Sequence, residues 1–534
     1  MTALSPRPRL SRSGLTSFTA VAALLAGIAW TVLVAFALLR APGGLLPLLL
    51  LPTGLGAAVL LSHRPLPAPV RTLALWTAIV ASAIVGGFAL LSIPLLAPGM
   101  VLLVLVALAC HRWPVQTLTG AFFLTGFYGT VTAWTSVPVY VVADVVIAGL
   151  AIAVAGGYML GAHRRPIRLW PGLVLTALFV ALSVFSIPLA ETLNLGIGSF
   201  RASTWYLLAG LLIAIAPWKP AVRRQLARGL LLVALLVGLY SLYRYFAGPS
   251  GAEYDQAFFA PQNFGIRKFF GSLVSGAELG TWFATLIPFC IGMGLGLQGR
   301  WRAIALVAGA LGIFGLLATD LRSGIIGAAV GAVVALALFE FSRAFTHRRV
   351  AVTAGVAVGL TAVGLIAFSL TLARSPETGA RYESLLTPTE DYSYATRVFR
   401  WETAIDDIDE HPLGQGLGSA GSVQQQTGRF YTIASLNLDN SYLKIALEQG
   451  FAVMAFYCIA MLLLILGLGR RALATVHPER ATPALAACGS LATFLVMAFA
   501  GLTIEGLTAL ALWIVVGVGV GQFTWIEPNR SREA

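Results

Sequence analysis

Apolar runs of 17 to 25 residues recur along the whole chain, separated by short polar turns. Each is long enough to cross the hydrocarbon core of a bilayer. A backbone in that environment must satisfy its own hydrogen bonds, so the runs predict helices. We place spans near 15–39, 44–62, 71–91, 95–110, 115–135, 138–161, 169–189 and 203–217. The second half continues near 229–247, 273–297, 302–320, 323–341, 350–372, 441–467, 483–501 and 506–522. The expected fold class is an all-α integral membrane protein with about sixteen transmembrane helices, a single polytopic domain over residues 1–534. The first run, Leu15 to Leu39, is longer than the apolar region of a secretory signal and reads as a retained span.

Two connections break the pattern of short turns: an outer loop at 248–271 and a long extracytoplasmic loop at 373–440. Loops of this length are uncommon unless they do something. Within the longer one, Val398, Trp401, Ile405 and Ile408 fall at helical spacing, which predicts an amphipathic helix over about Tyr394 to Glu410. Such a helix is expected to lie at the membrane–water interface, as a lid over a lipid-facing cavity.

Composition sharpens this picture. Hydrophobic residues make up 58% of the chain and charged ones 11%, against about a quarter charged in soluble domains. The net charge of +13 suggests nucleic acid only until its placement is read. Arg7, Arg9 and Arg12 precede the first span, and basic clusters recur after every second span: Arg64/Arg71, Arg112, Arg164/Arg165/Arg168, Lys219/Arg223/Arg224/Arg228, Arg300/Arg302, Arg343/Arg348/Arg349, Arg470/Arg471/Arg480 and Arg530/Arg532. This is the positive-inside distribution; it puts both termini in the cytoplasm and calls for no nucleic acid partner. Cys110, Cys290, Cys458 and Cys488 fall inside apolar spans without metal-ligand spacing, and His411 is the one histidine outside the cytoplasmic turns, so no metal site or cofactor is expected.

The outer segments carry basic residues that topology does not require: Arg267, Lys268, Arg322, Arg374, Arg381, Arg397, Arg400, Arg429 and Lys444. Guanidinium forks pair with phosphate oxygens, whereas the plain alternative is snorkelling to lipid headgroups. Gly416-Leu-Gly418-Ser-Ala-Gly421 matches a glycine-rich fingerprint but follows no strand, and reads as a flexible turn or as a close approach of backbone to a ligand. Asp439-Asn440 opens the fourteenth span and is either a helix cap or a general base facing an outer cavity. Glu448, roughly 13 Å further along at the helical rise, and Glu278 are ionisable groups at membrane depth. Each is either paired to a basic side chain or functional.

Several of these stretches resemble the O-antigen ligase and Wzy-type polysaccharide polymerase family. They are Arg397-Val-Phe-Arg-Trp401, Ile408, His411-Pro-Leu-Gly-Gln-Gly-Leu-Gly418, and Asp439-Asn440-Ser-Tyr-Leu followed by Glu448-Gln-Gly450. Asp320-Leu-Arg322-Ser-Gly and Arg267-Lys-Phe-Phe-Gly271 with Leu279-Gly280 are further matches, and the similarity covers roughly 260–510. Where the ligases have His-Asn, this chain has Asp439-Asn440, and Gly450-Phe-Ala-Val lacks their Gly-Thr-Thr ending.

The resemblance implies a metal-independent, inverting membrane glycosyltransferase of GT-C type. It would use an undecaprenyl-diphosphate-linked oligosaccharide as donor and a second lipid-linked unit as acceptor. The two departures favour polymerase over ligase or protein O-oligosaccharyltransferase. The implied catalytic residues are Asp439, Arg322 and Arg397. Arg267, Lys268, Arg400, Trp401, Asn440 and Glu278 are implied to bind substrate or diphosphate. The implied setting is the bacterial cytoplasmic (inner) membrane, with the site on the periplasmic side and a chain-length regulator protein as a further partner. A lipid-linked-glycan flippase is the alternative from another class. Polar groups gathered at outer helix ends, rather than in repeated halves at the midplane, favour the enzyme.

Overall fold

The computed structural model describes residues 96–135, 137–159, 167–259, 269–345, 349–374, 392–421 and 438–524. Among them every regular element is helical. In chain order these are α1 (Leu96–Arg112), α2 (Pro114–Thr135), α3 (Val139–Met159), α4 (Pro171–Ser186), α5 (Leu193–Ala202) and α6 (Thr204–Ile215). Next come α7 (Pro220–Ala247), α8 (Gly251–Phe259), α9 (Gly276–Gly296), α10 (Arg300–Ala318), α11 (Arg322–Phe341) and α12 (Arg349–Arg374). The last five are α13 (Tyr392–Glu410), α14 (Ser441–Gln449), α15 (Phe451–Ala474), α16 (Pro478–Met497) and α17 (Gly506–Val520).

The expected spans near 15–39, 44–62 and 71–91 lie outside the described residues; all the later ones fall on helix. Among the described residues, nine helices qualify by length and apolar composition to cross a membrane, or up to eleven spans if each of two bent pairs counts once. Those pairs are α1–α2, bent by 117°, and α5–α6, bent by 48°; α17 is apolar but shorter. The expected continuous span at 441–467 is corrected: it breaks at Gly450 into α14 and α15. Periodicity alone joined the two, because the apolar residues of the amphipathic α14, Leu443, Ile445, Ala446 and Leu447, lead directly into the apolar α15.

The centre of the bundle is α9, α16 and α17, whose residues are almost all buried. Small residues make that possible, since apolar packing in a bilayer gains from close backbone approach. A Cβ on Gly292 would stand 2.7 Å from the backbone of Ala486, so α9 and α16 meet at a distance only glycine permits.

Contacts between helix ends define two opposite faces. At one, Arg228 lies over the Trp301 ring at 5.1 Å, Arg471 over Trp170 at 4.1 Å, and the Arg168 amide donates to Thr524 at 2.7 Å. Arg223 is buried there, its guanidinium donating to the carbonyls of Ala214, in the last turn of α6, and of Ala216 and Trp218 beyond its end. Positive-inside reasoning assigned Arg223 to topology; the structure adds a capping job.

At the other face, the Thr130 amide donates to Ser272, the first turn of α9 packs on the α10–α11 junction through Gly280 and Leu321, and α14 docks on the end of α16 through Ser441 and Ala498. Glu278, Arg322, Asp439 and Asn440, at or just before the starts of α9, α11 and α14, belong to this second face. The basic residues Arg168, Arg223, Arg228 and Arg471 thus sit at the opposite end of the bundle from Glu278, Arg322 and Asp439.

Candidate functional site

The site is built around α14, a nine-residue helix with a defined start and stop. Asn440 is its N-cap: the side-chain oxygen accepts from the amides of Tyr442 and Leu443 at 2.9 and 3.1 Å. Of the Asp439-Asn440 pair it is therefore Asn440 that caps, and Asp439 stands one residue outside the helix. Gly450 ends α14 at φ 93°, a conformation disfavoured for residues with a Cβ.

Lys444 and Glu448, four residues apart, share the buried face of α14. The Lys444 ammonium donates to Glu448 and, at 3.0 Å, to Ser199 Oγ on α5; it also lies 3.3 Å from Glu505 at the start of α17. Glu448 Oε1 accepts from Ser199 Oγ at 2.8 Å and from the Gly418 amide at 2.7 Å. The grouping of Lys444 with the phosphate-binding cations is corrected here: its charge is spent on two buried carboxylates, and none of its surface reaches solvent. Glu448 has the basic partner that was one of its two expected readings.

The glycine-rich stretch is part of the same assembly. The amides of Gln415 and Gly416 donate to the carbonyls of Leu447 and Glu448 at 2.7 and 3.0 Å. Gly418 has φ 89°, and a Cβ there would stand 2.8 Å from the Leu195 carbonyl oxygen. The flexible-turn reading is corrected: these glycines let the loop pack on the protein's own backbone.

Above this buried set, Arg397 on α13 meets Asp439, with Nε 3.3 Å from Oδ2 and both side chains partly exposed. Among the described residues Asp439 is the hydrogen-bond partner of that guanidinium. The pair forms because α13 packs on α14: Ala404 and Ile408 are buried with Ala446, Leu447 and Leu438, and Trp401 is partly buried beside them. The apolar stripe is thus corrected in detail. Ile405, expected on it, is 48% exposed, and Ala404 takes its place. Arg400 lies three residues from Arg397, on the same side of α13.

Arg322 is the first residue of α11, in the tight junction after α10. Asp320 has φ 57°, in the left-handed region that few non-glycine residues adopt. That turn sets where α11 and its arginine begin. A Cβ on Gly280 would stand 2.8 Å from Leu321 Cβ, so Gly280 faces the same junction, whereas Glu278, two residues earlier on α9, is turned to the side that faces α2. Glu278 accepts a hydrogen bond from Tyr128 Oη on α2, a partner that neither of its two expected readings named. Arg267 and Lys268 lie outside the described residues.

Sequence reasoning missed Ser199, Tyr128 and Glu505. For Glu505 a signal existed, as it is the one charged side chain between Ala481 and Gln522. Ser199 and Tyr128 carry none, since a hydroxyl in an apolar stretch is unremarkable until its partner is known.

The outer loop at 248–271 also holds structure. Its α8 buries Glu253, which pairs with Arg244 at 2.7 Å and accepts from Thr130 Oγ1 at 2.8 Å, from Ser250 Oγ at 2.8 Å and from Tyr240. Burial alone would raise the Glu253 carboxyl, but hydrogen bonds from Tyr240, Ser250 and Thr130 outweigh it and hold the group below the usual glutamate value. A carboxyl depressed on folding contributes stability above its unfolded pKa of about 4.3 and loses it as pH falls through the lower folded value. The stability difference between wild type and Glu253→Gln is therefore expected to be constant above about pH 5 and to shrink below about pH 4. Thermal unfolding of both proteins in detergent across that range checks it; a pH-independent difference would remove the charge from the argument.

The sequence profile of the O-antigen ligase family matches residues 304–458. The matched stretch runs from α10 into α15 and contains Arg322, Arg397, Arg400, Asp439, Lys444 and Glu448. Glu278, Ser199 and Glu505 lie outside it. No curated protein matches the chain.

Proposed function

We propose that the chain, whose residues 304–458 match the O-antigen ligase family, is a membrane enzyme that joins glycans, and specifically a polysaccharide polymerase. Its donor is an oligosaccharide linked to undecaprenyl diphosphate. Its acceptor is a sugar hydroxyl of a second lipid-linked unit. The observation that carries this reading is the Arg397–Asp439 contact of 3.3 Å, which puts a guanidinium fork and a carboxylate together at the capped start of α14, inside the matched stretch.

In the reaction the acceptor oxygen attacks the anomeric carbon as its proton passes to the Asp439 carboxylate. A new carbon–oxygen bond forms, and the bond from the anomeric carbon to the diphosphate oxygen breaks. The departing electron pair stays on the diphosphate, where Arg397 and Arg322 stabilise the developing charge and Arg400, Arg267 and Lys268 assist binding. One displacement inverts the anomeric configuration. Asn440 holds the start of α14, and Trp401 holds α13 against it.

The basic residues at the opposite face support a cytoplasmic location for that end, by the positive-inside rule, and a periplasmic location for the site. A chain-length regulator protein fits as a partner at this face of the inner membrane.

Because bidentate pairing needs the planar fork, Arg397→Lys and Arg322→Lys are each expected to lose about a hundredfold or more in rate, roughly 2–4 kcal/mol of transition-state stabilisation. In vitro elongation of a defined lipid-linked repeat unit, at equal amounts of inserted protein, measures it. Wild-type rates in both lysine variants would reduce these arginines to membrane anchors.

The family description favours a second reading, ligation to another acceptor. Glycolipid analysis of a deletion strain separates the two. Single repeat units accumulating on the lipid carrier would mean lost polymerisation, and long polymer on the carrier would mean lost ligation.

A further inference from the structure

A second polar group lies at the same face, on the side of α5 away from α14. Ser199 and Arg201 are two positions apart on α5, a spacing that turns them to opposite sides of a helix. Ser199 faces Glu448, whereas Arg201 pairs with Asp144 on α3. One turn before Asp144 stands Tyr140, 37% exposed, its ring 5.6 Å from that of Tyr128 in an edge-to-face arrangement. Tyr140 is close enough to both Glu278 and Arg201 to interact with each electrostatically. Tyr128 completes the set through its hydrogen bond to Glu278. Five side chains from α2, α3, α5 and α9 thus converge on the side of α9 that faces α2.

The composition of this group indicates its ligand. The group holds two carboxylates, one paired with Arg201 and one with Tyr128, against a single guanidinium, so it does not favour a diphosphate. Carboxylates accept hydrogen bonds from hydroxyl groups, a guanidinium donates to their oxygens, and an exposed tyrosine ring offers an apolar face. A few convergent polar groups on an aromatic wall are what a small neutral polyol needs. The Arg397–Asp439 pair differs in composition, with a second guanidinium, Arg400, one turn along α13 from Arg397.

We propose that Glu278, Tyr128, Tyr140, Arg201 and Asp144 form a subsite that binds the neutral sugar hydroxyls of the acceptor glycan, separate from the arginines that hold the donor diphosphate. This rests on the polymerase reading above and moves Glu278 from diphosphate to sugar. Tyr140 and Glu278 are the contact residues. Asp144 orients Arg201.

The test uses full-length protein in nanodiscs and, as probe, the lipid-free oligosaccharide repeat unit of the cell's own surface polysaccharide. Tyr140→Ala and Glu278→Gln are expected to weaken its binding by about tenfold or more, while Tyr140→Phe, which keeps the ring, stays within about threefold. Binding of undecaprenyl diphosphate alone is expected to be unchanged in all three. In elongation assays the same two variants raise KM for acceptor and leave KM for donor at its wild-type value. Wild-type glycan binding by both Tyr140→Ala and Glu278→Gln overturns the subsite, as does a parallel loss of undecaprenyl diphosphate binding. Glycan binding that is lost in these variants, with no elongation by wild type, would sink the polymerase reading and leave the subsite standing. Equal thermal stability of the three variants separates lost contacts from lost fold.

Discussion

Asp439→Asn is expected to insert, fold and bind lipid donor as wild type does, yet to lose turnover by about a hundredfold or more. The structure makes this substitution cleaner than the sequence allowed. An aspartate just ahead of a helix is ordinarily a cap, and asparagine caps as well as aspartate, so a capping residue would tolerate the change. Here the cap is Asn440, whose oxygen already serves the amides of Tyr442 and Leu443. What remains for Asp439 as a structural role is its ion pair with Arg397, and both partners are partly exposed. Such pairs contribute about 0.2–1 kcal/mol, so the asparagine variant is expected to stay within about 1 kcal/mol of wild type in stability. Loss of a base predicts something different, because the amide keeps the shape and cannot accept the acceptor's proton. In vitro elongation, with donor binding followed separately, measures the difference. Near-normal elongation by Asp439→Asn would leave Glu278 or a substrate-assisted mechanism to take the proton.

The second large effect is on stability. Lys444→Met removes the one cation between Glu448 and Glu505, both of which are buried. Removing one partner of a buried ion pair leaves an uncompensated charge, a loss of about 3–5 kcal/mol. The damage should concentrate in α14, since Glu448 also holds Ser199 and the Gly418 amide. Lys444→Met is expected to lower the thermal midpoint in detergent and to expose the 411–421 segment to protease. Adding Glu448→Gln should recover part of the loss, because the neutral amide still accepts from Gly418 and carries no charge to compensate. If Lys444→Met alone leaves the midpoint unmoved, the buried group carries no net charge balance and the argument fails.

How much of the site was legible depends on the range of the interactions involved. Arg397, Asp439 and Arg322 could be picked out because charged side chains at the ends of apolar runs are conspicuous, whatever they touch. The i,i+4 spacing of Lys444 and Glu448 was equally visible, yet Lys444 was grouped with the phosphate donors, because spacing does not say which face of a helix is buried. The partners that decide its role, Ser199 on α5 and Glu505 before α17, are 245 and 61 positions away. No local pattern reports a pairing at that separation.

The helical, bilayer-spanning character of the chain was determined by the sequence alone, because it follows from run length and from the need of a backbone in lipid to satisfy its own hydrogen bonds. Segregation of basic clusters from candidate chemistry was also readable, since it is a property of which turns carry charge. Tertiary structure decided the rest. Gly450 breaks an apolar run that periodicity joins, because its φ of 93° is set by packing against Pro412 and Leu413. The glycines from Gly416 to Gly421 are packing residues because Leu189, Ala190, Leu195, Lys444 and Glu505 press on them, and the same sequence in open solvent would be a loose turn. Asn440 rather than Asp439 became the cap for a similar reason: docking of Ser441 on Ala498 fixes where α14 starts, and a cap belongs to the residue just before that point.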